Sequence, residues 1–541
     1  MTVPEDWFLT SEERGNPSTR IDLRRPDGRA WVAGNDVRPL VHGRAYFAEL
    51  LAAVRRLRRG DLLLFTDWRG DPDERLDGAL DSAGGPPSRG PQSESLATDT
   101  GISRVFCEAA ERGVVVKGLI WRSHLDRFAF SERENRHLGE EIEDAGGECL
   151  RDMRVRIGGS HHQKFMVLRH VGKPEWDVAY VGGIDLCHSR NDDAAHHGDP
   201  QTCPMSPEYG DRPPWHDVQV AIRGPAVGEV EAVFRERWND PAPLSRNPLH
   251  RLRDALQHED TKPSRLPEQL PDPPPAGTCA VQLLRTYPHR RKGYPFAPQG
   301  ERSIARGYVK AVARARQLIY VEDQYLWSPQ VADVFASALR AEPELHLIVV
   351  VPQFPDQPGN VARAPQLLGR QRALDILRAA GGPRVAVYSP YNVAGTPVYV
   401  HAKVCVIDDT WATVGSDNFN LRSWTYDSEL SCAVVDTAVP AEYARQLRLT
   451  LAAEHLGRSK SDVDALIEPR LAFAALADSA AALDEWYANG CQGPRPAGQL
   501  RAYQPPRLSR WSKRWAAPLY RWLYDPDGRP PALRRQPGFA L

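Results

Sequence analysis

The stretch YVHAKVCVIDDTWATVGSDN, residues 399–418, decides the fold. Its valines at positions 404 and 406 alternate with other side chains, which predicts two strands joined by a turn at residues 408–410. Side chains two residues apart on a strand point to the same face. We therefore expect His401 and Lys403 to present one imidazole and one ammonium to a single phosphate.

The same His-x-Lys triplet occurs 239 residues earlier in the chain. The segment HHQKFMVLRHVGKPEWDVAYVGGID, residues 161–185, contains His162 and Lys164 and also leads into a glycine turn. Because unperturbed imidazole titrates near a pKa of about 6.5, histidine can act as nucleophile, acid or base near neutral pH. A duplicated triplet of this kind indicates phosphoryl chemistry performed by two histidines.

The two copies are unequally equipped in the turn that follows the second predicted strand. Gly183 and Asp185 in the first copy stand where the second copy has Ser416 and Asn418. The second copy therefore offers more hydrogen-bond donors for a phosphate.

The hairpin turns of the two copies differ as well. Arg169 stands where the second copy has Asp408, and the first turn is longer by about six residues. Asp177, on the returning strand, is the nearest replacement for the missing carboxylate.

The repeat extends on both sides of the triplets. A further acidic residue opens a strand after each glycine turn, Asp217 in the first half and Glu429 in the second. Upstream, residues 46–68 resemble 307–327 and residues 105–123 resemble 334–353, each an amphipathic helix that leads into a strand. An internal duplication of this kind predicts two similar helix-and-strand halves.

These blocks, in this order, resemble the phospholipase D superfamily, and most closely its eukaryotic-type phospholipases D. The similar segments are GGIDLCHSRND (182–192), PWHDVQVAIRGPAV (214–227), GERSIARGYVKAV (300–312), IYVEDQYL (319–326), and YVHAKVCVIDD running to GSDNFNLRS and DSEL. The resemblance implies an α/β fold with two pseudo-symmetric phospholipase D-type α-β-α sandwich halves that share one active site. No C2, PX or PH-like region is apparent before residue 40.

The resemblance also implies a mechanism through a phosphohistidine intermediate. We expect His162 to act as nucleophile and His401 as acid, while Lys164 and Lys403 neutralise the phosphoryl oxygens. Asp217 and Glu429 are candidates for orienting the two imidazoles through the ring nitrogen remote from phosphate. The predicted substrate-binding residues are Gly183, Asp185, Ser416, Asn418 and Asn420, and Asp408 is a structural motif residue.

Proline, glycine and serine concentrate near residues 69–101, 193–214 and 239–278. The first two stretches predict surface loops and the third a linker. The predicted organisation is an N-terminal extension (1–40), a first half (41–240), a linker (241–278), a second half (279–440), and a C-terminal helical region with a basic aromatic tail (441–541).

Composition narrows the function classes. Lys plus Arg number 69 and Asp plus Glu number 70 in 541 residues, so no global positive field favours nucleic acid and no nucleic-acid partner is expected. No apolar stretch reaches membrane-spanning length, and the N-terminus carries Glu5 and Asp6 where a signal peptide needs basic and apolar residues. We expect a cytoplasmic protein that binds membranes, if at all, from the side. The sequence leaves the oligomeric state open.

Eight cysteines without close CxxC pairs predict free, mostly buried thiols. The segment 187–203 resembles a metal site in composition, but its spacing matches no zinc pattern, which favours a solvated loop. We expect no cofactor and no metal that the chemistry requires.

Two features of the sequence each allow two interpretations. Trp68 and Trp121 lie at predicted strand ends, where aromatic side chains can line a lipid channel or pack in the core. From Arg501 onward the chain contains nine Lys or Arg residues and two Asp residues, with Trp511, Trp515 and Trp522 among them. Such a tail can lie on an anionic bilayer or wrap the protein body.

Three function classes follow. The leading hypothesis is a phosphodiesterase that hydrolyses a glycerophospholipid to phosphatidic acid and the head-group alcohol, with transphosphatidylation when an alcohol replaces water. The alternatives are a phosphatidyltransferase such as a cardiolipin synthase, or a nuclease of the same superfamily. A non-catalytic phosphate-binding relative is the third class, and Arg169 is the residue that favours it.

Overall fold

The computed structural model describes residues 3–25, 27–78, 99–123, 132–256, 261–357, 359–459, 462–463, 466–536 and 539–541. Much of the predicted loop at 69–101 lies outside the described residues.

The strands of the N-terminal part are β1 Val32–Val41, β2 Leu62–Asp67, β3 Val115–Trp121, β4 Glu148–Asp152, β5 Phe165–Arg169, β6 Val178–Gly182, β7 Trp215–His216 and β8 Val218–Arg223. Those of the C-terminal part are β9 Cys279–Tyr287, β10 Glu301–Arg302, β11 Leu318–Asp323, β12 His346–Val350, β13 Val385–Pro390, β14 Tyr399–Val400, β15 Lys403–Ile407, β16 Trp411–Gly415, β17 Glu429–Asp436 and β18 Leu500–Ala502.

The helices follow in chain order. They are α1 Pro4–Trp7, α2 Ser11–Arg14, α3 Arg20–Leu23, α4 Gly43–Arg56, α5 Ile102–Glu111, α6 Glu132–Asp144, α7 Ala226–Trp238, α8 Pro248–Leu256, α9 Ser303–Val312, α10 Pro329–Ala341, α11 Asn360–Gly381, α12 Leu421–Thr425, α13 Tyr443–His455, α14 Pro469–Ala488, α15 Arg510–Leu519 and α16 Pro531–Arg534.

One long mixed sheet runs through the protein, and its strand order repeats. Outward from the centre, one side reads β1-β8-β6-β5-β2-β3-β4 and the other β9-β17-β16-β15-β11-β12-β13, with β18 at the far edge. The central strands β1 and β9 are antiparallel, whereas β2-β3-β4 and β11-β12-β13 are parallel runs. This order is that of two similar halves related by a pseudo-two-fold axis between β1 and β9.

Helices cover both faces of the sheet, as the α-β-α prediction requires. In β2 the side chains alternate, so that Leu62 and Leu64 join the core under α7 and α13 while Leu63 and Phe65 face α4 and α5. The first of these cores takes residues from both halves and is continuous across the centre. Full burial of such a side chain contributes roughly 1.5–3 kcal/mol, so the shared core holds the halves together.

The predicted helix-to-strand repeats are confirmed. The helix α4 leads into β2 as α9 leads into β11, and α5 leads into β3 as α10 leads into β12. The hairpin of β15 and β16 turns at residues 408–410, as predicted. Parallel neighbours in each half follow from these helical crossovers.

Two predicted boundaries differ from the observed elements. The strand β1 lies within the predicted N-terminal extension, because it pairs with β8 and β9 in the centre of the sheet. The predicted linker contains α8, whose buried Asp254 forms an ion pair with Arg122 in the loop after β3. The halves are therefore joined by a segment that packs on the first half.

Candidate active site

The backbone of each His-x-Lys triplet is held by the opposite half. The His162 N–H donates to the Ser428 carbonyl at 2.9 Å, and the His401 N–H donates to the His216 carbonyl at 2.8 Å. His401 lies between β14 and β15 rather than inside a strand, because its backbone bonds to the β7 segment instead of to the sheet. The two triplets thus meet where the halves join.

Each imidazole receives its carboxylate from the other half. Glu429 Oε2 lies 2.9 Å from His162 Nδ1, and Asp217 Oδ2 lies 2.7 Å from His401 Nδ1. Both carboxylates are fully buried, whereas the imidazoles of His162 and His401 remain 15 % and 6 % exposed. A carboxylate at Nδ1 fixes the tautomer and leaves Nε2 to face a ligand.

The two carboxylates are supported differently. The Ser416 hydroxyl donates to Glu429 Oε2 at 2.6 Å, so its proton supports the carboxylate. At the matching position, a Cβ on Gly183 would lie 2.3 Å from Asp217 Oδ1. The Asp217 carboxylate already fills this space, so a serine does not fit there. This contact explains why the two turns differ.

The lysine ammonium groups are buried beside the histidines. Lys164 Nζ donates to the His162 carbonyl at 3.0 Å and lies 3.2 Å from Asp185 Oδ1. Lys403 Nζ donates to the His401 carbonyl and to Gln324 Oε1 at 3.4 Å. Burial lowers the pKa of Lys403 to about 8.

Cations surround His401 and set its protonation state. Burial, and then the charges of Lys403 and Arg190, lower the pKa of His401 well below its usual range. The charge of Lys164, from the other half, lowers the pKa of His401 further. Burial and these charges therefore favour the neutral imidazole of His401.

Asp185 acts as a partner for cations. Burial alone would raise its pKa, but the charges of Lys164 and Arg190 lower it below the usual range. Arg190 Nη2 lies 3.5 Å from Asp185 Oδ2 and its guanidinium stacks 3.8 Å from the centre of the Trp215 ring. In the structure Asp185 thus holds two positive groups, Lys164 and Arg190.

The two predicted asparagines have different surroundings. Asn420 Oδ1 accepts the Ser423 N–H at 2.7 Å and so caps α12. Asn418 Oδ1 is buried and takes no hydrogen bond among the described residues. Asn418 is therefore the better placed of the two to bind a ligand.

Asp408 has a structural role in the second half. Its carboxylate accepts the backbone N–H groups of Arg316, Gln317 and Leu318, which ties the hairpin turn to the start of β11. The first half makes the matching tie from the opposite side, because Asp61, just before β2, accepts the N–H of Val171.

Arg169 is fully buried in the position that matches Asp408. It forms ion pairs with Asp177, at 2.7 Å, and with Glu231 of α7. The substitution therefore changes how the hairpin is anchored to the body, and it leaves the imidazoles untouched.

Sequence reasoning missed Asp67 and Asp323, the last residues of the matching strands β2 and β11. Asp67 Oδ2 accepts the Leu186 N–H at 3.1 Å and Asp323 Oδ1 accepts the Phe419 N–H at 3.0 Å, so each anchors the turn that follows the hairpin of its half. Aligning TDW (66–68) with EDQ (322–324) inside the repeat would have found both.

Aromatic side chains flank both triplets. Trp68 stacks on Trp121 with ring centres 5.5 Å apart and meets the edge of His162 at 6.1 Å. In the other half, the Trp215 ring lies 5.1 Å from that of His401. These rings form the walls beside the imidazoles.

The segment predicted as a solvated loop is mostly buried, which corrects that prediction. Cys187, Asp192, His196 and Asp199 are each no more than 1 % exposed, because the segment folds back under the site. His188 approaches Asp71 and Cys203 closely enough to share a cation. His196 leaves this group and joins residues from distant parts of the chain, described below.

Among the described residues, no helix combines the length and apolar character needed to cross a bilayer.

Family models match two overlapping parts of the chain. The model described as phospholipase D matches residues 92–331, and that described as cardiolipin synthase, PLD-like domain, matches residues 308–449. Together they cover both triplets and the strands that carry them.

The relatives found among curated proteins include plant enzymes. Phospholipase D alpha 1 of Ricinus communis is 26 % identical over 482 residues, which covers 66 % of this chain and 59 % of the relative. Phospholipase D alpha 2 of Oryza sativa subsp. japonica is 27 % identical over 421 residues, covering 58 % and 51 %. The chain thus spans little more than half the length of these relatives.

Among solved structures, phosphatidylserine synthase of Haemophilus influenzae Rd KW20 superposes with a TM-score of 0.52 at 12 % identity, covering 92 % of this chain and 95 % of that one. At this identity the likeness concerns the fold alone. The family matches and the curated relatives show that the chain belongs to the phospholipase D superfamily.

Proposed function

We propose that the chain is a phosphodiesterase that cleaves the head-group ester of glycerophospholipids, releasing phosphatidic acid and an alcohol. The exchanged histidine–carboxylate pairs, His162 with Glu429 and Asp217 with His401, carry this proposal. They provide two imidazoles of fixed tautomer beside two buried ammonium groups, which is the equipment for displacement at phosphorus.

The reaction divides into two steps. His162 Nε2 attacks phosphorus, the bond from phosphorus to the head-group oxygen breaks, and His401 donates a proton to the departing alcohol. His401, now neutral, takes a proton from water, and the resulting hydroxide breaks the phosphorus–nitrogen bond. His162 is released and phosphatidic acid leaves.

The protonation of His401 sets a condition on this assignment. Burial and the neighbouring cations oppose the imidazolium form of His401. A bound phosphodiester brings a negative charge that offsets those cations and raises the pKa of His401. Substrate binding therefore prepares the acid in the first step.

A second candidate function is transfer of the phosphatidyl group to an alcohol. The match of residues 308–449 to the family model described as cardiolipin synthase favours it. Its chemistry differs only in the second step, in which an alcohol replaces water. Nuclease activity has less support, since Lys plus Arg and Asp plus Glu are nearly balanced at 69 and 70.

One assay separates these functions. The full chain is incubated with vesicles of mixed phospholipids, with and without ethanol, and in parallel with single-stranded DNA. Phosphatidic acid identifies hydrolysis, phosphatidylethanol identifies transfer, and nucleotides identify a nuclease. We expect phosphatidic acid without ethanol and phosphatidylethanol in its presence; release of nucleotides alone would refute the lipid assignment.

Substitution of the histidines tests the mechanism. His162→Ala and His401→Ala should each reduce turnover by several orders of magnitude, since positioned acid–base help alone is worth roughly 100- to 10,000-fold. His137→Ala, which changes an imidazole 59 % exposed on α6, is the control and should retain full activity. Full activity in both active-site variants would disprove the mechanism.

The nucleophile can be identified directly. A short-chain phospholipid is added, the reaction is stopped within one turnover, and the peptides of the chain are mapped by mass spectrometry. We expect the phosphatidyl adduct on the peptide that contains His162. An adduct on the peptide of His401 would exchange the two roles and leave the reaction class unchanged.

A further inference from the structure

A second cluster of ionisable side chains is buried behind the candidate active site. It consists of His42, before α4, His196, in the loop after β6, His216 of β7 and Glu454 of α13. The three histidines are at most 1 % exposed, and the Glu454 side chain is 8 % exposed. The proposed phospholipase mechanism uses none of these side chains.

The carboxylate of Glu454 contacts all three imidazoles of the cluster. Glu454 Oε2 lies 2.9 Å from His42 Nε2, and Glu454 Oε1 lies 3.1 Å from His196 Nε2 and 3.2 Å from His216 Nδ1. All four atoms lie within 4.8 Å of one another. Ligand atoms about 2.0–2.1 Å from a tetrahedral zinc ion are separated from one another by about 3.3 Å. The three distances between Glu454 and the histidines are close to this value.

The outer nitrogens of His216 and His42 each have the acceptor that a metal-bound histidine needs, whereas that of His196 has only a more distant carboxylate. His216 Nε2 lies 2.6 Å from Glu322 Oε2, and His42 Nδ1 lies 3.0 Å from the Asp217 carbonyl oxygen. His196 Nδ1 faces Asp192 Oδ2 at 3.7 Å. Histidines that ligate metals almost always donate their second N–H to a carboxylate or a backbone carbonyl.

The Glu322 carboxylate is itself fixed by further contacts. Its Oε1 accepts from the Tyr320 hydroxyl at 2.6 Å and lies 2.8 Å from His455 Nε2. This buried support holds the carboxylate toward His216. The cluster therefore has both an inner set of donors and an ordered outer set.

We propose that His42, His196, His216 and Glu454 bind one divalent transition-metal ion, with Zn²⁺ as the best match. Three imidazole nitrogens and one carboxylate oxygen suit zinc, and imidazole is a weak ligand for Mg²⁺ or Ca²⁺. Four protein ligands complete a tetrahedron and leave no position for water. The ion is therefore structural, and it adds no step to the phospholipase reaction.

The position of the cluster indicates the structural role of the ion. It joins three segments far apart in the sequence, and His216 directly precedes Asp217, the carboxylate that contacts His401. If protons rather than a metal ion occupied the cluster, His216 would be an imidazolium between the carboxylates of Glu322 and Glu454. That proton-only network is the competing state, and metal analysis distinguishes the two.

Metal content of the full chain is the test, and it does not depend on lipid activity. The purified protein is analysed by mass spectrometry for metals, stripped with a chelator, and titrated with Zn²⁺ or Co²⁺. We expect about one zinc per chain. Zinc should restore the unfolding temperature lost on stripping, and Mg²⁺ should not. Bound Co²⁺ should show the visible absorption of a tetrahedral site.

Variants locate the ion. His196→Ala and Glu454→Gln should lose the bound zinc, whereas His188→Ala, which changes the neighbouring Asp71 and Cys203 group, should keep it. If these variants fail to fold, the wild-type titration still decides. A wild-type chain that binds neither Zn²⁺ nor Co²⁺ would establish the proton-only network, and zinc retained by both ligand variants would place the metal elsewhere.

Discussion

Lys403 differs from an ordinary lysine because its ammonium is completely buried. Burial lowers its pKa to about 8, so the charge that should face the phosphate is lost as the pH rises through that value. The value of kcat/KM reports ionisation in the free enzyme, whereas kcat reports the complex. A bound phosphodiester favours the ammonium and moves the loss to higher pH.

We predict that kcat/KM falls above about pH 8 while kcat stays level to higher pH. Lys403→Arg should remove the alkaline decrease in kcat/KM, because guanidinium stays protonated, although the overall rate will drop since its shape differs. Lys164→Arg is the matched control and should keep the decrease, because it retains Lys403. Persistence of the decrease in Lys403→Arg would assign it to another group.

For single residues, the sequence predicts which side chains belong to the site better than it predicts which side chains they contact. Asp217 and Glu429 are identifiable as carboxylates that open strands, but they meet His401 and His162 across 184 and 267 residues. Nothing local encodes such a pairing. Likewise, the spacing of Ser416 predicts a donor, whereas only the structure shows that Glu429 receives its proton.

The C-terminal tail shows what an element can add to the sequence interpretation. Ala516 and Tyr520 are buried against the body, so α15 does wrap the protein as one alternative held. Trp511 and Trp522 are nevertheless 73 % and 84 % exposed, close to the exposed basic residues Arg514 and Arg521. Exposed Trp beside basic residues suits an anionic lipid surface.

We predict that Trp511→Ala combined with Trp522→Ala weakens flotation with phosphatidylserine-containing vesicles and leaves the unfolding temperature unchanged. Truncation before Arg501 is a poorer test, because it also removes part of β18 and the buried Tyr520. Trp176→Ala, at a tryptophan 42 % exposed in the first half, is the control. Equal flotation of the wild type, the double variant and Trp176→Ala would show that these two tryptophans of the tail contribute nothing to vesicle binding.

The elements themselves were largely predictable, because hydrophobic periodicity and duplication support each other. The segment 187–203 was not, since its polar composition is typical of a surface loop. Its charged side chains are buried because they find partners on other segments, as Asp192 does with the Trp215 N–H at 2.8 Å. Composition does not report such distant partners.

Considered as a whole, the molecule has contacts across its centre that join the halves into one unit. Arg285 of β9 forms a buried ion pair with Glu236 of α7, and the core beneath the sheet draws on both halves. Breaking a buried ion pair costs about 3–5 kcal/mol, because it leaves a charge without its partner. Exposed pairs contribute about 0–1 kcal/mol.

We predict that Glu236→Gln lowers the free energy of unfolding by about 3 kcal/mol, at the low end of that range, since Arg285 keeps its contact with Glu301. Calorimetry should show a single transition for both wild type and variant. Asp333→Asn, which removes an exposed pair with Arg340, should change stability by less than about 1 kcal/mol. Two separate transitions in the wild type would show that the halves unfold independently.

The exchange of carboxylates between the halves bears on how the protein evolved. A symmetric dimer of single halves would place the acidic residue of each subunit against the histidine of the other, and a duplicated and fused gene would inherit that contact. Neither copy could then diverge alone, since a change at Glu429 is felt at His162 and a change at Asp217 at His401. A difference such as Arg169, whose ion pairs stay within the first half, escapes that constraint.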